Sequence, residues 1–371
     1  MIKIFMPCSG LGHVKRGFES FTRECFDALV DEPSIKLTLF KGAGESRENE
    51  VTLWNLRRND WRAIQIGKLT GRTGYIIETA SFFLSLLKHI YREKPDIIYF
   101  SDINLGNALW HWRRLTKTKY KLLFSNGSPQ YPPFPRWDYI QQLTPALFQL
   151  SLDAGVATEK QSLVPYGFNI APQLTILTSL ERKTLRSQLR LPEDQPLILS
   201  VGFIDKSHKR MDYLIREVAS LPEPKPYLLL LGQKDTESSE VINLGLELLG
   251  ADNFQVRSIE QSEVDDYYKV ADAFVLASLR EGLGRVLVEA MAHGLPCLVH
   301  DYAITQFVLG EYGYFADFQL ENSLSKLIYQ VLNNPDSKDE SYLRHKSVYE
   351  RFSWEQLRPK YVDMIHKCAQ S

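Results

Sequence analysis

Glu281 to Asp301 reads EGLGRVLVEAMAHGLPCLVHD. The run passes from a glycine-bearing loop through a helix into a short apolar strand. Gly282 and Gly284 bracket Leu283, so the backbone can turn sharply there and approach a ligand closely. From Arg285 the pattern is helical: Val286, Leu287, Ala290 and Met291 recur on one face, with Glu289 among them. His293-Gly294 supplies a stop, and Pro296 opens the strand Cys297-Leu298-Val299.

The first turn of such a helix leaves backbone N–H groups unpaired at the positive end of its dipole, which makes it an anion site. Glu281 stands in the loop before it, and Glu289 lies eight positions on, within the helix. Two acids flanking a phosphate-binding turn suit a sugar nucleotide: the amides take the pyrophosphate and the carboxylates accept from hydroxyls. Read singly, Glu281 is a solvated loop acid and Glu289 a surface acid paired with a neighbouring Lys or Arg. Read together with the glycines, the helix and the strand, the run resembles the E-x7-E signature of the retaining glycosyltransferases of family 4, which have the GT-B fold. The resemblance implies that Glu281 contacts the donor sugar and Glu289 the ribose. It also implies that Gly282, Leu283, Gly284, Arg285 and Val286 lie along the sugar and diphosphate.

A second segment supports it. Val201-Gly202-Phe203-Ile204-Asp205 precedes Lys209, and Asp212-Tyr213-Leu214-Ile215 opens a helix. This is similar to the family's GR-x5-K-G-x-D-x-L-I segment, whose Arg and Lys hold the distal phosphate and support the leaving group. Lys209 occupies the Lys position and is expected to be catalytic with Glu281. Phe203 stands where Arg is usual and Arg210 replaces the Gly. An apolar ring cannot neutralise phosphate. Either another cation substitutes, with Lys206 and Arg285 as candidates, or the diphosphate is less well stabilised. By the same resemblance, Gly232 and Ile259 border the base.

The chain opens with a strand, Ile2 to Met6, then Pro7-Cys8-Ser9-Gly10-Leu11-Gly12-His13, then a helix from about Lys15 to Val30. Strand, glycine turn and helix begin a doubly wound domain. Gly10 and Gly12 start a dinucleotide fingerprint that Val14 and Lys15 do not complete. The turn is similar instead to the first glycine loop of GT-B enzymes, which places Gly12 near the donor diphosphate and His13 on the acceptor side, where it orients an acceptor or caps local structure. Ser101-Asp102 ends the strand Asp96 to Phe100, and Asn126-Gly127 ends Leu122 to Phe124. Ligands bind at such strand ends in open α/β sheets, so Asp102 and Asn126 join His13 as acceptor-side candidates. Asn126 stands near where the family often has His; an amide hydrogen-bonds a hydroxyl but takes no proton from it.

Further on, Ser179 to about Leu191 and Gln261 to Val270 read as helices, and Phe352-Ser353-Trp354 begins a last one, with Ser353 as N-cap. The expected fold is therefore α/β of the GT-B type: two Rossmann-like doubly wound domains facing a central cleft. Residues 1–170 form the acceptor-side domain, 171–195 a linker region and 196–352 the donor domain. Residues 353–371 form a helix returning to the first domain.

Net charge is −1, but the halves differ: up to Thr175 there are 22 Lys+Arg against 16 Asp+Glu, and the remainder holds 22 against 29. A basic first half and an acidic second half suit different partners. The stretch Trp54 to Thr73 carries Arg57, Arg58, Arg62, Lys68 and Arg72 among Trp54 and Trp61, the composition of a peripheral contact with anionic membrane or of a solvated basic face. Cys8, Cys25, Cys297 and Cys368 form no metal-ligand pair and read as free thiols. No run reaches the roughly 18 apolar residues that span a bilayer, and the N-terminus does not read as a signal peptide. No Asp-x-Asp sits at a strand end, so neither metal nor cofactor is expected. The partners expected are a nucleotide sugar donor and a sugar, lipid-linked or small-molecule acceptor, with no nucleic acid. The place expected is the cytoplasm, at the inner face of the membrane where the basic domain touches it. Two rival readings share the fold: a non-catalytic nucleotide-sugar-binding relative, to which Phe203 and Asn126 point, and a sugar-nucleotide epimerase.

Overall fold

Short runs such as Ile97–Phe100 (IIYF), Tyr227–Leu231 (YLLLL) and Ala273–Leu276 (AFVL) are apolar at every position and too short for helices. They are buried throughout, as central strands of a parallel sheet covered on both faces must be. The computed structural model describes residues 1–14, 17–127, 130–234, 236–260, 263–334 and 337–371. The chain divides into two units: unit 1 holds Met1–Asn169 and Phe352–Ser371, and unit 2 holds Ile170–Arg351.

Unit 1 has seven strands: β1 Ile2–Cys8, β2 Ile35–Lys41, β3 Glu50–Thr52, β4 Ile97–Phe100, β5 Lys121–Ser125, β6 Tyr139–Gln142 and β7 Gln161–Leu163. Its sheet runs β3-β2-β1-β4-β5-β6-β7, and every pairing is parallel. The helices are α1 Gly17–Leu29, α2 Trp61–Thr70, α3 Gly74–Glu93, α4 Ile103–Thr116 and α5 Pro145–Asp153. Unit 2 has α6 Ser179–Gln188, β8 Leu197–Val201, α7 Met211–Ala219, β9 Tyr227–Leu231, α8 Ser238–Leu249, β10 Phe254–Arg257, α9 Val264–Val270 and β11 Ala273–Leu276. It continues with α10 Arg285–Ala292, β12 Cys297–His300, α11 Ala303–Leu309, β13 Tyr314–Ala316, α12 Ser323–Asn333 and α13 Lys338–Phe352. Its sheet is parallel in the order β10-β9-β8-β11-β12-β13. Lys15 and Gln261, the expected helix starts, lie outside the described residues.

Both sheets have the doubly wound order, in which the chain leaves the first strand in one direction and later returns to its other side. The crevice between the strands where the order reverses is the ligand site of such sheets. In unit 1 these are β1 and β4; in unit 2 they are β8 and β11.

Residues 171–195 do not hang free as a linker. They belong to unit 2, where Arg186 on α6 is buried and bonds the Val270 carbonyl and Asp272. The last helix, α14 Trp354–Gln370, belongs to unit 1. Ser353 caps it by accepting from Gln356 N. Phe168 N donates to Phe352 O at 2.8 Å and Trp354 N to Phe168 O at 3.0 Å, so the chain enters α14 through a short parallel bridge. The Trp354 ring lies over Gly167, where an added Cβ would stand 2.4 Å from the ring. Gly167→Ala therefore forces the ring away, at a cost of about 1–3 kcal/mol. A clear fall in the apparent Tm, measured by thermal denaturation, is the expected result. All four cysteines are free and buried, and burial pushes the Cys297 thiol up to about 12.

Candidate active site

Unit 2 gathers the expected donor residues along the carboxyl edge of its sheet. Lys209 lies in the loop after β8, and its stem passes over Gly202 with carbons about 3.1 Å from where a Cβ would be. Asp205 shapes that loop by accepting from His208 N at 2.9 Å and Lys209 N at 2.5 Å. Glu281 lies in the loop after β11. Lys209 Nζ donates to Glu281 Oε1 at 2.5 Å, across the two strands that flank the crevice. The side chains are only 14% and 11% exposed, so solvent screens this pair less than a surface one.

The loop from Glu281 reaches α10 through Gly284, which takes φ +74°. A side chain there would be strained by the left-handed backbone and would also meet Leu287 Cδ1 at 3.0 Å. Leu283 is buried beneath the turn. Gly284 has no capping side chain, and Arg285 and Val286 form the first turn of α10. Glu289, one turn on, accepts from the Tyr268 hydroxyl at 3.1 Å, and Arg285 Nη2 stands 3.9 Å from its other oxygen. Burial pushes the Tyr268 phenol well up, with Glu289 adding to the effect, so Tyr268 stays a donor. The ring stacks on His293 at 5.5 Å. The Gly232 carbonyl at the end of β9 accepts from Ser258 Oγ at 2.7 Å, and Ile259 follows, half-buried.

The two departures from the resembled segment acquire physical content. Arg210 holds φ +52°, a left-handed conformation that glycine adopts without a Cβ clash. Its guanidinium donates to the Phe318 carbonyl at 3.2 Å and lies 4.2 Å over Tyr213, so it braces α7. Of the two cations considered as substitutes at Phe203, Lys206 is turned to Glu240 on α8. Arg285 lies in the first turn of α10, beside Glu289.

Unit 1 places its candidates at the ends of β1, β4 and β5, with different outcomes. Gly12 takes φ +97° with Ala43 O 2.3 Å from a would-be Cβ. His13 Nε2 is 3.1 Å from Glu78 Oε2. Asp102 is a cap: it accepts from Asn104 N at 2.8 Å and Leu105 N at 3.2 Å at the start of α4, and Thr79 Oγ1 lies 3.3 Å away. Asn126 corrects the expectation of an acceptor contact. It is fully buried; its Nδ2 donates to Gln130 O and Gln142 Oε1, and its Oδ1 accepts from Gln130 N at 2.7 Å. Both of its amide hydrogens are taken up inside unit 1.

Three residues absent from the sequence reading stand at these sites. Glu78 is fully buried on α3 and binds Arg58 through Oε1 at 2.7 Å and through the Arg58 backbone N–H at 2.6 Å. Burial alone would raise its carboxyl, but the Arg58 guanidinium and N–H, with His13, hold it below the usual range. The spacing carried a signal: Glu78 precedes Phe82, Leu86 and Ile90 at intervals of four, and all are buried, so an acid occupies the core stripe of the helix. Tyr268 and Tyr302 carry no comparable signal. The Tyr302 hydroxyl is buried near Glu281, and burial first, then Glu281, pushes its phenol up. Among the described residues, no three His, Cys, Asp or Glu converge as a metal site.

Residues 181–347 match the family model described as Glycosyl transferases group 1. The chain is 27% identical over 184 residues to the lipopolysaccharide core biosynthesis glycosyltransferase LpsE of Rhizobium meliloti (strain 1021). That match spans 48% of this chain and 52% of the relative, so the chain spans about half the length of this curated relative. Among solved structures, sucrose-phosphate synthase from Thermosynechococcus elongatus superposes with TM-score 0.80 at 19% identity, covering 99% of both chains. Anabaena HepE in complex with UDP and glucose gives TM-score 0.75 at 14% identity, covering 99% of this chain and 100% of that one. These likenesses show the fold: two Rossmann-like, parallel-sheet α/β domains.

Proposed function

We propose, for a chain whose residues 181–347 match the family model Glycosyl transferases group 1, that it moves a hexose from a nucleoside-diphosphate sugar to a hydroxyl of a sugar, lipid or small-molecule acceptor, with retention at the anomeric carbon. One observation carries the reading. Lys209 and Glu281 meet at 2.5 Å on loops leaving the two strands that flank the crevice of unit 2, and the Glu281 loop runs on into the start of α10. A cation and helix-start amides beside a carboxylate suit a diphosphate joined to a sugar. The complex of Anabaena HepE with UDP and glucose, similar in fold, supports this class of donor.

In this reading the incoming diphosphate draws Lys209 away from Glu281. Lys209 and the α10 amides then stabilise the charge that grows on the departing diphosphate. Glu281, released, accepts from hydroxyls of the sugar. Glu289, held by Tyr268, fixes the ribose, and Gly232 and Ile259 border the base. The acceptor oxygen bonds to the anomeric carbon on the face from which the diphosphate leaves. Its proton passes to the departing phosphate oxygen, so the products are a glycoside and a nucleoside diphosphate. No protein base is required, which suits a buried Asn126. Unit 1 serves the acceptor through His13 at the end of β1, and Gly12 in the same turn lies by the donor diphosphate. The basic unit 1 keeps the enzyme at the inner face of an anionic membrane, while no described helix is long and apolar enough to cross one.

Incubation with UDP-, GDP- and ADP-hexoses and candidate acceptors tests the function. Acceptor-dependent nucleotide release is the expected result. A new epimer with free nucleotide from donor alone would favour the epimerase, and tight donor binding without release would favour the binding relative. Because Lys209 and the α10 amides supply the positive charge, turnover is expected to survive EDTA. Loss with EDTA, restored by magnesium or manganese, would contradict this assignment of charge.

A further inference from the structure

Helix α2 buries its small residues and exposes its large ones. Only Ala63 and Gly67, one turn apart, are buried. A Cβ at Gly67 would stand 2.5 Å from the Arg72 carbonyl, so this stripe is packed close. The large apolar side chains are all exposed, Trp61 (68%) and Leu69 (87%) most and Ile64 (41%) and Ile66 (39%), at the edges of the stripe, less so. At about 3.6 residues per turn, Trp61, Gln65 and Leu69 fall opposite the Ala63/Gly67 stripe, with Lys68 and Arg62 beside them. Trp54, in the preceding loop, is 68% exposed too, and its carbonyl is anchored by Ser85 Oγ at 2.7 Å. Packing within unit 1 therefore accounts for the seat of α2 but not for its outer face.

The charges on that face are of one sign. Arg57, Arg62, Lys68 and Arg72 are exposed, and the Arg62 guanidinium lies 5.6 Å over the Trp61 ring. Arg58 does not belong with them, because Glu78 holds it. The stretch from Trp54 to Thr73 has one acid, Asp60, and Asp60 is consumed as the N-cap of α2, accepting from Arg62 N. Aromatic and aliphatic side chains interleaved with cations on an exposed helix face match the chemistry of a lipid headgroup layer. Tryptophan settles at the boundary of water and acyl chains, and cations meet the lipid phosphates.

We propose that α2, with Trp54, seats unit 1 on an anionic lipid surface. Trp61 and Leu69 enter the headgroup–acyl boundary, and Arg57, Arg62, Lys68 and Arg72 bind the phosphates around them. This rests on the membrane reading of unit 1 given above and on no step of sugar transfer. The anchor is built for reversible attachment, because one short helix and a few cations bind a surface weakly enough to release it.

Flotation of the full chain with phosphatidylglycerol/phosphatidylcholine vesicles at low salt tests it, with phosphatidylcholine vesicles as the comparison. The expected result is binding to the anionic vesicles and little to the neutral ones. Trp61→Ser/Leu69→Ser and Arg62→Glu/Lys68→Glu should each lower partition at least about tenfold. All four side chains are exposed, and circular dichroism should show both variants folded. No flotation of the wild type, or flotation unchanged by both pairs, overturns the proposal. Self-association lost in the same variants without vesicle binding also overturns it and assigns the face to a second copy. Nucleotide release with a water-soluble acceptor, measured in parallel, separates the two readings. Release without flotation removes the anchor and leaves transfer standing; flotation without release supports the anchor alone.

Discussion

Lys209→Met is expected to lower kcat about a hundred- to a thousandfold, the usual effect of removing one preorganised donor from a developing anion. Methionine keeps an unbranched stem across Gly202 and removes the ammonium, with its charge and its N–H donors. The lysine is held at the crevice by a short loop that Asp205 shapes through two backbone bonds, so its ammonium needs little reorganisation to reach a phosphate. Its resting partner is Glu281, and the variant leaves that carboxylate without its cation. Circular dichroism and thermal denaturation must therefore show the variant folded first. Lys209→Arg is the informative companion: it keeps the charge but changes its shape and reach, so partial activity is expected. If steady-state kinetics gave Lys209→Met wild-type turnover, the diphosphate would lie elsewhere.

Glu281→Gln and Glu289→Gln should separate by role. If Glu281 touches the reacting sugar, as proposed, its contact strengthens as positive charge grows at the anomeric carbon. Interactions stronger in the transition state act on turnover. Glu281→Gln is expected to lower kcat with a smaller change in donor KM. In the proposed reading Glu289 binds a ribose that does not change during the reaction, so its loss should chiefly raise donor KM. Each effect is about 1.5–3 kcal/mol, the range for a hydrogen bond to a charged group. Glu289→Gln also keeps an acceptor for the Tyr268 hydroxyl, so α10 and α9 stay joined. If Glu289→Gln proved the turnover variant and Glu281→Gln behaved as wild type, the two roles would be exchanged or wrong.

Much of this could be read before any coordinates. The loop, helix and strand from Glu281 to Val299 appear where the glycines and the apolar period put them, and Lys209, placed by a separate segment, meets Glu281 across the crevice. What escaped follows from local physics. The strands β3, β6, β7 and β13 are only three or four residues long, too short for a period to show. β6 reads YIQQ, yet Gln141 and Gln142 are fully buried because their amides find partners: Gln141 Nε2 donates to Val164 O and contacts the Tyr361 hydroxyl. Helix α5 opens on Pro145, a residue that reads as a breaker but is tolerated in the first turn. Asn126 and Asp102 look like ligand residues because they sit at strand ends. Only the hydrogen bonds reveal that one is used up within unit 1 and the other caps a helix. Arg210 reads only as a departure from the resembled Gly, and its left-handed backbone and its bonds to carbonyls show what it does there.

A crystal structure of the chain with a nucleoside diphosphate tests the central claim most directly. The account predicts a phosphate oxygen within about 2.7–3.2 Å of Lys209 Nζ, the remaining phosphate oxygens against the first amides of α10, the ribose on Glu289, and the Lys209–Glu281 contact opened. A diphosphate bound anywhere else, with Lys209 still on Glu281, would contradict it.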